Sequence, residues 1–523
     1  MIFPAHVRTL PDLIRYRAEV QPGRVAICDG DRTTTYGQLD QRSSRVAQSL
    51  YQHGLEAGER VGVLDRDCDD LFTVVFGISK ASGVVLGMDW RLTAAELAFQ
   101  LEDAGVRTLF VGAAFVEVAE GLMSLCPKLR TVVTFGEEGR GWTTLEQFIG
   151  EMPAANPCTG ADPESVAVQM YTSGTTGKPK GVMLAHRSFF AVTGELVKAD
   201  DPWIGWHEHD VTMCGMPSFH IGGMWWAMTS FHAGACYVVL DSFSGWKALR
   251  KIERHLVTKL CLVPAMLQVC MSEPEFADSD VSSVECIVYG GSPIPRPLLE
   301  QAMRAFACDF AQIYGLTETG NTAVCLRPED HGNRRLLTAA GRPYPGVTLK
   351  VVDASGQPVA PGTVGEICIK SPANMVGYYN RPDATAATLR SGWVHTGDAG
   401  TLDEDGYVFV SDRVKDMISS AGENIYPAEV ESVLAGHPAI AEIGVIGVPH
   451  DSWGEQVHAV VVLRPATSLS LPELQEFGQG QLASFKLPRS MSLVESLPRT
   501  PSGKIKKAEL RAPYWRGRER SVH

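Results

Sequence analysis

Residues 171–181 form a run of hydroxyl, glycine and lysine side chains whose types and spacing suit the binding of phosphate. The glycines let the backbone curl and expose N–H groups, the hydroxyls add donors, and the lysines supply positive charge. The run differs from the Walker A pattern, because only two residues separate Gly174 from Gly177, and Pro179 follows the lysine. A polar surface loop has a similar composition, but strand-like apolar residues flank this run on both sides. We therefore expect a phosphate-binding loop formed by Thr172, Ser173, Gly174, Thr175, Thr176, Gly177, Lys178 and Lys180.

Three further runs combine polar side chains with tight turns. Residues 314–319 follow a predicted strand over 310–313, which would place them at the carboxyl end of a sheet, where α/β proteins bind ligands. In this run Glu318 offers the hard oxygen ligand that Mg²⁺ prefers. Residues 392–398 end in an acid after a tight turn, a pattern suited to binding sugar hydroxyls. Residues 498–504 form a loop that presents one lysine.

The composition excludes several classes of protein. The chain has 523 residues, 45% of them hydrophobic, which indicates a globular protein with more than one core. A net charge of −13 argues against nucleic acid as the main partner, because binding its phosphate backbone needs a basic face. The twelve cysteines include no CxxC pair, which favours reduced thiols in the cytoplasm over a zinc or redox site.

Two stretches of the sequence decide whether a secretory signal or a membrane-spanning segment is expected. The first residues contain no apolar signal core, so we expect no secretory signal. Residues 211–240 contain no Asp, Glu, Lys or Arg but include Pro217, two histidines and four glycines, a composition that suits a buried core region better than a spanning helix. We therefore expect no transmembrane segment; peripheral membrane contact stays open.

The first part of the chain alternates between strand-like and helix-like segments, which must position the polar runs. Strand-like residues 60–64 precede a helical pattern over 70–80. Thr93 and Glu96 stand at capping-box spacing and predict the start of another helix. Leu249, Ile252 and Leu256 stand at the spacing of one helix face. This alternation predicts parallel sheets covered by helices.

The composition changes after about residue 340. Apolar residues 347–352 and 365–370 are separated by glycine and proline and predict strands of a smaller β unit. A charged junction at 411–416 then precedes a compact α+β segment. In it we expect a helix over 427–435, strands over 443–448 and 457–463, a helix from 471 and a strand near 492.

Taken in their order and spacing, the four polar runs resemble the adenylate-forming superfamily of acyl-CoA synthetases, adenylation domains and luciferases, over essentially the whole chain. The resemblance implies an α/β fold: a large N-terminal domain of two helix-covered, mostly parallel sheets plus a small β subdomain, and a mobile α+β lid. The implied boundaries are 1–411 for the N-terminal adenylation domain, 412–416 for a hinge and 417–523 for the C-terminal lid domain.

The resemblance also implies how ATP is bound. Residues 172–180 would hold the β- and γ-phosphates, and residues 290–294 would form one wall of the adenine pocket, with Tyr314 packed on the ring. Asp398 would bind the ribose hydroxyls with the help of Arg413. Besides the loop, the implied ATP-binding residues are Gly290, Gly291, Ser292, Tyr314, Gly315, Thr317, Asp398, Arg413 and Lys504.

The chemistry that the resemblance implies needs no protein nucleophile. Thr317 would contact the α-phosphate, Glu318 and Thr175 would bind Mg²⁺, and Lys504 would bridge the attacking carboxylate and the α-phosphate. Repulsion between carboxylate and phosphate has to be offset, since two unit charges 4 Å apart repel by about 4 kcal/mol at an effective dielectric of 20. A metal ion and one lysine would supply that positive charge.

A second half-reaction would use another surface of the lid. The resemblance places the hinge at Lys415 and a pantetheine tunnel at Gly422, where a side chain would obstruct the thiol. Relatives usually show Ser-Gly-Gly at this point, whereas this chain has Ser420-Ala421-Gly422. The tunnel glycine is kept, and Ala421 adds a methyl group beside it.

The acid itself is not identified by these motifs. Residues 216–223 resemble the segment in which acyl-CoA ligases place an aromatic or histidine gate, and the absence of an aspartate argues for an acid without an α-ammonium group. We assign His220 to the gate and Met224 and Trp225 to the acyl pocket. Methionine and tryptophan fill cores equally well, so core packing stays open for both, and His232 is expected to be structural.

The function that follows is that of an ATP-dependent acid–CoA ligase, which uses ATP, Mg²⁺ and coenzyme A on a fatty, aromatic or alicyclic acid. Transfer to the phosphopantetheine of a carrier protein is the alternative. An inactive nucleotide-binding homologue would be expected to lack Lys504 or Glu318, and both are present. A homodimer stays open.

Overall fold

The computed structural model describes residue 4 and residues 6–136, 141–157, 161–172, 179–413, 416–420, 423–450, 452–499 and 505–516. Among them, no helix combines the length and the hydropathy needed to cross a bilayer. The charge-free stretch around residue 220 instead forms a helix whose thirteen residues are all buried.

The α-helices are mostly short and begin at polar caps or prolines. Thr93 caps one of them in a capping box with Glu96, as the sequence predicts. The helices are α1 Leu10–Val20, α2 Tyr36–Gln52, α3 Asp69–Lys80, α4 Ala94–Ala104, α5 Val116–Leu125, α6 Leu145–Ile149, α7 Arg187–Lys198, α8 Ile221–Ala233, α9 Gly245–His255, α10 Pro264–Ser272, α11 Arg296–Phe306, α12 Pro382–Thr388, α13 Pro427–Leu434, α14 Leu471–Gly478 and α15 Lys507–Arg511.

The β-strands belong to four sheets. They are β1 Val25–Asp29, β2 Arg32–Thr35, β3 Arg60–Leu64, β4 Val84–Gly87, β5 Thr108–Gly112, β6 Thr131–Phe135, β7 Thr143–Thr144, β8 Val166–Thr172, β9 Lys180–Ala185, β10 Val211–Cys214, β11 Cys236–Val238, β12 Lys259–Leu262, β13 Cys286–Gly290, β14 Asp309–Tyr314, β15 Val324–Leu326, β16 Arg342–Pro343, β17 Thr348–Val352, β18 Gly365–Lys370, β19 Gly377–Tyr378, β20 Leu389–Arg390, β21 Trp393–Leu402, β22 Val408–Arg413, β23 Ile418–Ser420, β24 Glu423–Ile425, β25 Ile440–His450, β26 Gly454–Leu463 and β27 Ser490–Leu493.

Two large sheets confirm the predicted parallel architecture. The nine-stranded sheet has the order β16-β15-β14-β13-β12-β10-β11-β1-β2, and its strands from β14 to β1 are parallel. The eight-stranded sheet has the order β19-β9-β8-β4-β3-β5-β6-β7 and is parallel from β8 to β7. Such sheets need crossover helices, which accounts for the alternation along the sequence.

Helices α3 and α8 pack the two large sheets together. Phe72 of α3 lies 5.5 Å from Phe231 of α8 and 5.3 Å from Tyr237 of β11, measured between ring centroids. All three rings are buried in the largest core cluster. Edge-to-face aromatic contacts of this kind stabilise the interface beyond their buried area.

Two smaller sheets follow, as the change in composition predicts. One has the order β17-β18-β21-β20, with β22 pairing to β21, and is antiparallel. The C-terminal sheet has the order β24-β23-β26-β25, with β27 parallel to β26. Helices α13 and α14 pack on this last sheet around Val430, Leu434 and Leu474.

One helix ends earlier than its apolar spacing suggests. Leu256 was expected on the apolar face of α9, but the helix stops at His255 and Leu256 adopts a left-handed conformation with φ of 51°. Its side chain is 63% exposed, so Ile252 is the last buried residue on that face. Apolar periodicity alone does not mark a C-cap formed by a residue other than glycine.

Candidate active site

Adjacent parallel strands β13 and β14 bring two predicted nucleotide-binding turns together. Gly290 pairs with Ile313, and Tyr314 ends β14. A Cβ on Gly290 would lie 2.4 Å from the Ile313 carbonyl oxygen, so this approach of the two strands requires glycine. Gly291 follows at a φ of 81°, in the left-handed region. Ser292 is half-buried in the same turn.

The turn after β14 is equally tight. A Cβ on Gly315 would lie 2.2 Å from the carbonyl oxygen of Asn321, which explains the need for glycine at this position. Thr317 and Glu318 follow in a 3₁₀ turn that ends at Gly320, with φ of 64°. Both side chains are half-buried at the carboxyl end of the sheet.

The predicted phosphate loop joins β8 to β9, an antiparallel hairpin of the other large sheet. Thr172 and Lys180 are register partners at the ends of the two strands, and both are half-buried. The remaining loop residues Ser173, Gly174, Thr175, Thr176, Gly177 and Lys178 lie outside the described residues.

Tyr378 connects the hairpin to Glu318. It lies on β19, which pairs with β9 so that Tyr378 is opposite Val182. Its hydroxyl donates a hydrogen bond of 2.8 Å to Oε1 of Glu318, and Nζ of Lys180 lies 5.0 Å from the centre of its ring. The sequence argument missed Tyr378, because only the pairing of β19 with β9 brings it to the site.

Glu318 fits the role of a metal ligand. Its carboxylate is half-buried, and Oε1 is held in place by the Tyr378 hydroxyl. Among the described residues, Oε2 has no hydrogen-bond partner. A fixed carboxylate with one uncommitted oxygen is a donor suited to Mg²⁺. Its proposed companion Thr175 lies outside the described residues.

Tyr314 and Asp398, which the sequence analysis assigned to adenine and ribose, lie together. The Tyr314 hydroxyl donates a 2.7 Å hydrogen bond to Oδ2 of Asp398, which is 5% exposed. Asp398 stands on β21 opposite Arg413 of β22. Only the backbone of Arg413 is described, so its proposed contact with ribose stays a prediction.

His220 caps the buried helix α8. Its Nδ1 accepts a hydrogen bond of 3.2 Å from the backbone N–H of Gly222, which makes this nitrogen the unprotonated one. The imidazole is half-buried. The capping bond fixes the ring at the start of α8, where we assigned the gate.

A buried carboxylate holds the gate segment against the other sheet. Asp67 lies just after β3, and it accepts hydrogen bonds from the backbone N–H of Ser218 at 3.0 Å and from its hydroxyl at 2.7 Å. Burial raises the pKa of Asp67 to about 6, although the Ser218 hydrogen bonds lower it. The sequence argument missed this contact, which joins residues 151 positions apart.

Met224 and Trp225 have different surroundings. Met224 lines a small cavity between the two large sheets, together with Phe219, Ser218 and Asp65. Trp225 is buried, with its ring 6.2 Å from Trp203 and 5.8 Å from Trp226. Trp225 therefore has the surroundings of a core residue, and the assignment of both residues to the acyl pocket stays a prediction.

Several predicted residues lie outside the described residues altogether: Lys415, Ala421, Gly422 and Lys504. Their assigned roles in the hinge, the tunnel and acid activation stay predictions. His232 is buried, and burial lowers its pKa to about 3, in keeping with the structural role expected of it.

Comparison with known proteins identifies the family of the chain. The model of the AMP-binding enzyme family matches residues 14–379, and that of the AMP-binding enzyme C-terminal domain matches residues 429–504. The crystal structure of the anthranilate CoA ligase AuaEII in complex with anthranoyl-AMP superposes with a TM-score of 0.90 at 26% identity, over 98% of each chain.

Two relatives align over nearly the whole chain. A fatty acid–[acyl-carrier-protein] ligase, ScoC of Streptomyces coeruleorubidus, is 46% identical over 99% of this chain and 98% of its own length. The medium/long-chain-fatty-acid–CoA ligase FadD8 of Mycobacterium tuberculosis is 36% identical over 94% of this chain and 88% of its own length. The chain therefore belongs to the AMP-binding enzyme family and is an adenylate-forming acid ligase.

Proposed function

We propose that this enzyme activates an apolar carboxylic acid with ATP and transfers the acyl group to a phosphopantetheine thiol. In the first step the carboxylate attacks the α-phosphorus, and pyrophosphate leaves. In the second step the thiol sulfur attacks the acyl carbon, the thiol proton is lost, and AMP leaves. The observation that carries the proposal is the contact of Tyr378 with both Glu318 and Lys180.

Each group assigned to the nucleotide site has a part in the proposed first step. Lys180 offsets charge on the phosphates, and Tyr314 and Asp398 hold the nucleoside. Mg²⁺ held by Glu318 would neutralise charge on the phosphate oxygens. Lys504 would bind the carboxylate and the α-phosphate together.

The proposed acid is apolar. Helix α8 follows the gate and contains no Asp, Glu, Lys or Arg, and all of its residues are buried. The cavity beside Met224 is lined mainly by aliphatic side chains, including Val63, Leu71 and Val85. A second carboxylate would lose its hydration there, because the lining contains Asp65 but no basic side chain to pair with it. The names of ScoC and FadD8 specify fatty acids, which supports the same choice.

Two acceptors carry the required thiol. Identity of 46% to ScoC, against 36% to FadD8, favours a carrier protein as the first candidate. Coenzyme A, the acceptor expected from the sequence, is the second, and the name of FadD8, a fatty-acid–CoA ligase, supports it. The thiol of either acceptor would reach the acyl group along the tunnel assigned to Gly422.

The test combines the purified chain with ATP, Mg²⁺ and a panel of short, medium, long-chain, aryl and amino acids, with coenzyme A or a holo carrier protein. We expect acid-dependent release of pyrophosphate, and an acyl thioester in at least one acceptor arm by mass spectrometry. Thioester in the carrier arm alone would exclude coenzyme A. Adenylate without thioester in either arm, or a preference for amino acids, would contradict the proposal.

A further inference from the structure

A local irregularity in the small sheet surrounds Asp398. Strands β18 and β21 pair Glu366 with Ala399 and Cys368 with His395, and their register shifts between these two pairs. Three residues of β21, 396–398, therefore lie opposite the single residue Ile367. This is a β-bulge, a feature that redirects a side chain near many active sites. Here the side chain at the end of the bulge is that of Asp398.

The carboxylate of Glu366 contacts the bulged strand at two residues, His395 and Gly397. Oε2 of Glu366 lies 2.7 Å from Nδ1 of His395, and Oε1 accepts a 3.0 Å hydrogen bond from the backbone N–H of Gly397. Gly397 has a φ of 68° and directly precedes Asp398. Because an ionised carboxylate only accepts, Nδ1 of His395 carries the proton in this pair. Bonds of this charge-assisted kind are about twice as strong as neutral ones.

The hydroxyl of Thr396 also holds the bulge in place. Oγ1 of Thr396 donates to the carbonyl oxygen of Ile367 at 2.7 Å and accepts from the backbone N–H of Asp398 at 3.0 Å. The bulge is thus tied to β18 through Glu366 and Ile367. The Tyr314 hydroxyl donates a hydrogen bond to the carboxylate of Asp398.

We propose that Glu366 is a positioning residue. Through its contacts with Gly397 and His395, it orients the Asp398 carboxylate toward the ribose of the nucleotide. The inference rests on the proposed role of Asp398 in binding the ribose hydroxyls. Glu366 itself does not contact the nucleotide in this scheme, so its removal weakens recognition of the two hydroxyls and leaves the rest of the nucleotide site in place.

Cys368 provides a matched control on the same face of the sheet. Its Sγ lies within hydrogen-bond distance of Nδ1 of His395, at 3.5 Å, and among the described residues it makes no hydrogen bond to residues 396–398. Burial, and next the Glu366 carboxylate, raise the pKa of this thiol to about 12, so it stays protonated. Cys368→Ser should therefore change a side chain on this face of the sheet without changing the orientation of the Asp398 carboxylate.

The experiment measures binding of AMP and of 2′,3′-dideoxy-AMP to the full-length chain by calorimetry, with acid-dependent pyrophosphate release measured in parallel. Wild type should prefer AMP. Glu366→Ala should weaken AMP binding about tenfold and dideoxy-AMP binding less than twofold. Glu366→Gln should recover most of the preference, since its amide oxygen still accepts from Gly397 and its NH₂ group donates to the other tautomer of His395. Cys368→Ser should match wild type.

Thr396→Val tests the same idea with an isosteric change, in case Glu366→Ala does not fold. It removes the acceptor for the Asp398 N–H and should reduce the same preference. Equal weakening of both nucleotides in either folded variant, or an unchanged preference, would overturn the inference. Loss of acid-dependent pyrophosphate release in wild type, with the AMP preference intact, would instead overturn the proposed function alone.

Discussion

At the scale of single residues, the site depends on side chains that are held by neighbours distant in sequence. Glu318 is held by Tyr378, Asp398 by Tyr314, and Ser218 by Asp67. In each pair at least one member was predicted from a local motif or lies within one. Tyr314 and Asp398 were both predicted from their motifs, whereas Tyr378 and Asp67 came from tertiary structure, because a lone tyrosine or aspartate in a strand or loop has no local pattern that distinguishes it.

Glu318→Gln should raise the Mg²⁺ concentration needed for half-maximal adenylation and lower its maximal rate. An amide oxygen is a weaker ligand for a hard cation than a carboxylate, and it still accepts the Tyr378 hydrogen bond. Pyrophosphate release is titrated with Mg²⁺ at fixed ATP. Tyr378→Phe is the control, since it keeps the carboxylate and should move the Mg²⁺ midpoint much less. An unchanged midpoint in Glu318→Gln would count against the metal assignment.

At the scale of elements, a buried ion pair joins β10, which precedes the gate, to its parallel neighbour β12. Nζ of Lys259 on β12 lies 2.8 Å from Oδ1 of Asp210, the residue before β10, and both side chains are at most 1% exposed. Removing one member of such a pair leaves a buried charge without compensation, at a cost of about 3–5 kcal/mol.

Lys259→Ala should therefore lower the thermal denaturation midpoint clearly, measured by circular dichroism. Lys198→Ala is the matched control, because its pair with Glu195 is formed by a side chain that is 73% exposed. Exposed pairs contribute about 0–1 kcal/mol. Equal midpoints in the two variants would refute the structural role of the buried pair.

The helices and strands were the part of the structure that the sequence predicted most fully. The strand at Phe310 and the capping box at Thr93 were found because their local signals, apolar run and cap spacing, agree with the fold. The end of α9 at His255 was missed because Leu256 continues the apolar spacing. The bulge at Thr396 to Asp398 was also missed, since it depends on the register with β18, which no local pattern encodes.

At the scale of the whole molecule, the proposed reaction needs two arrangements of the C-terminal domain. Lys504→Ala should reduce adenylation at least a hundredfold, because positioned charge in a transition state is worth roughly that much. It should spare thioester formation from supplied acyl-adenylate. Pyrophosphate release and thioester formation are measured separately on the same preparation.

Gly422→Leu gives the complementary control. A side chain in the proposed tunnel should leave pyrophosphate release intact and cause acyl-adenylate to accumulate. If Lys504→Ala depressed both half-reactions equally, its assignment to the first step would be wrong. If Gly422→Leu left thioester formation unchanged, the tunnel would lie elsewhere.

The complete burial of α8 has a consequence for how this enzyme can change its substrate range. Met224, beside the cavity, shares the helix with Trp225, Trp226 and Phe231, which hold the two large sheets together. Enlarging or reshaping the pocket from this helix therefore removes packing from the molecular core. Phe219 lines the same cavity from the preceding loop and is only half-buried. Laboratory evolution toward new acids should accept changes at Phe219 first, and changes along α8 only in a background that has been stabilised beforehand.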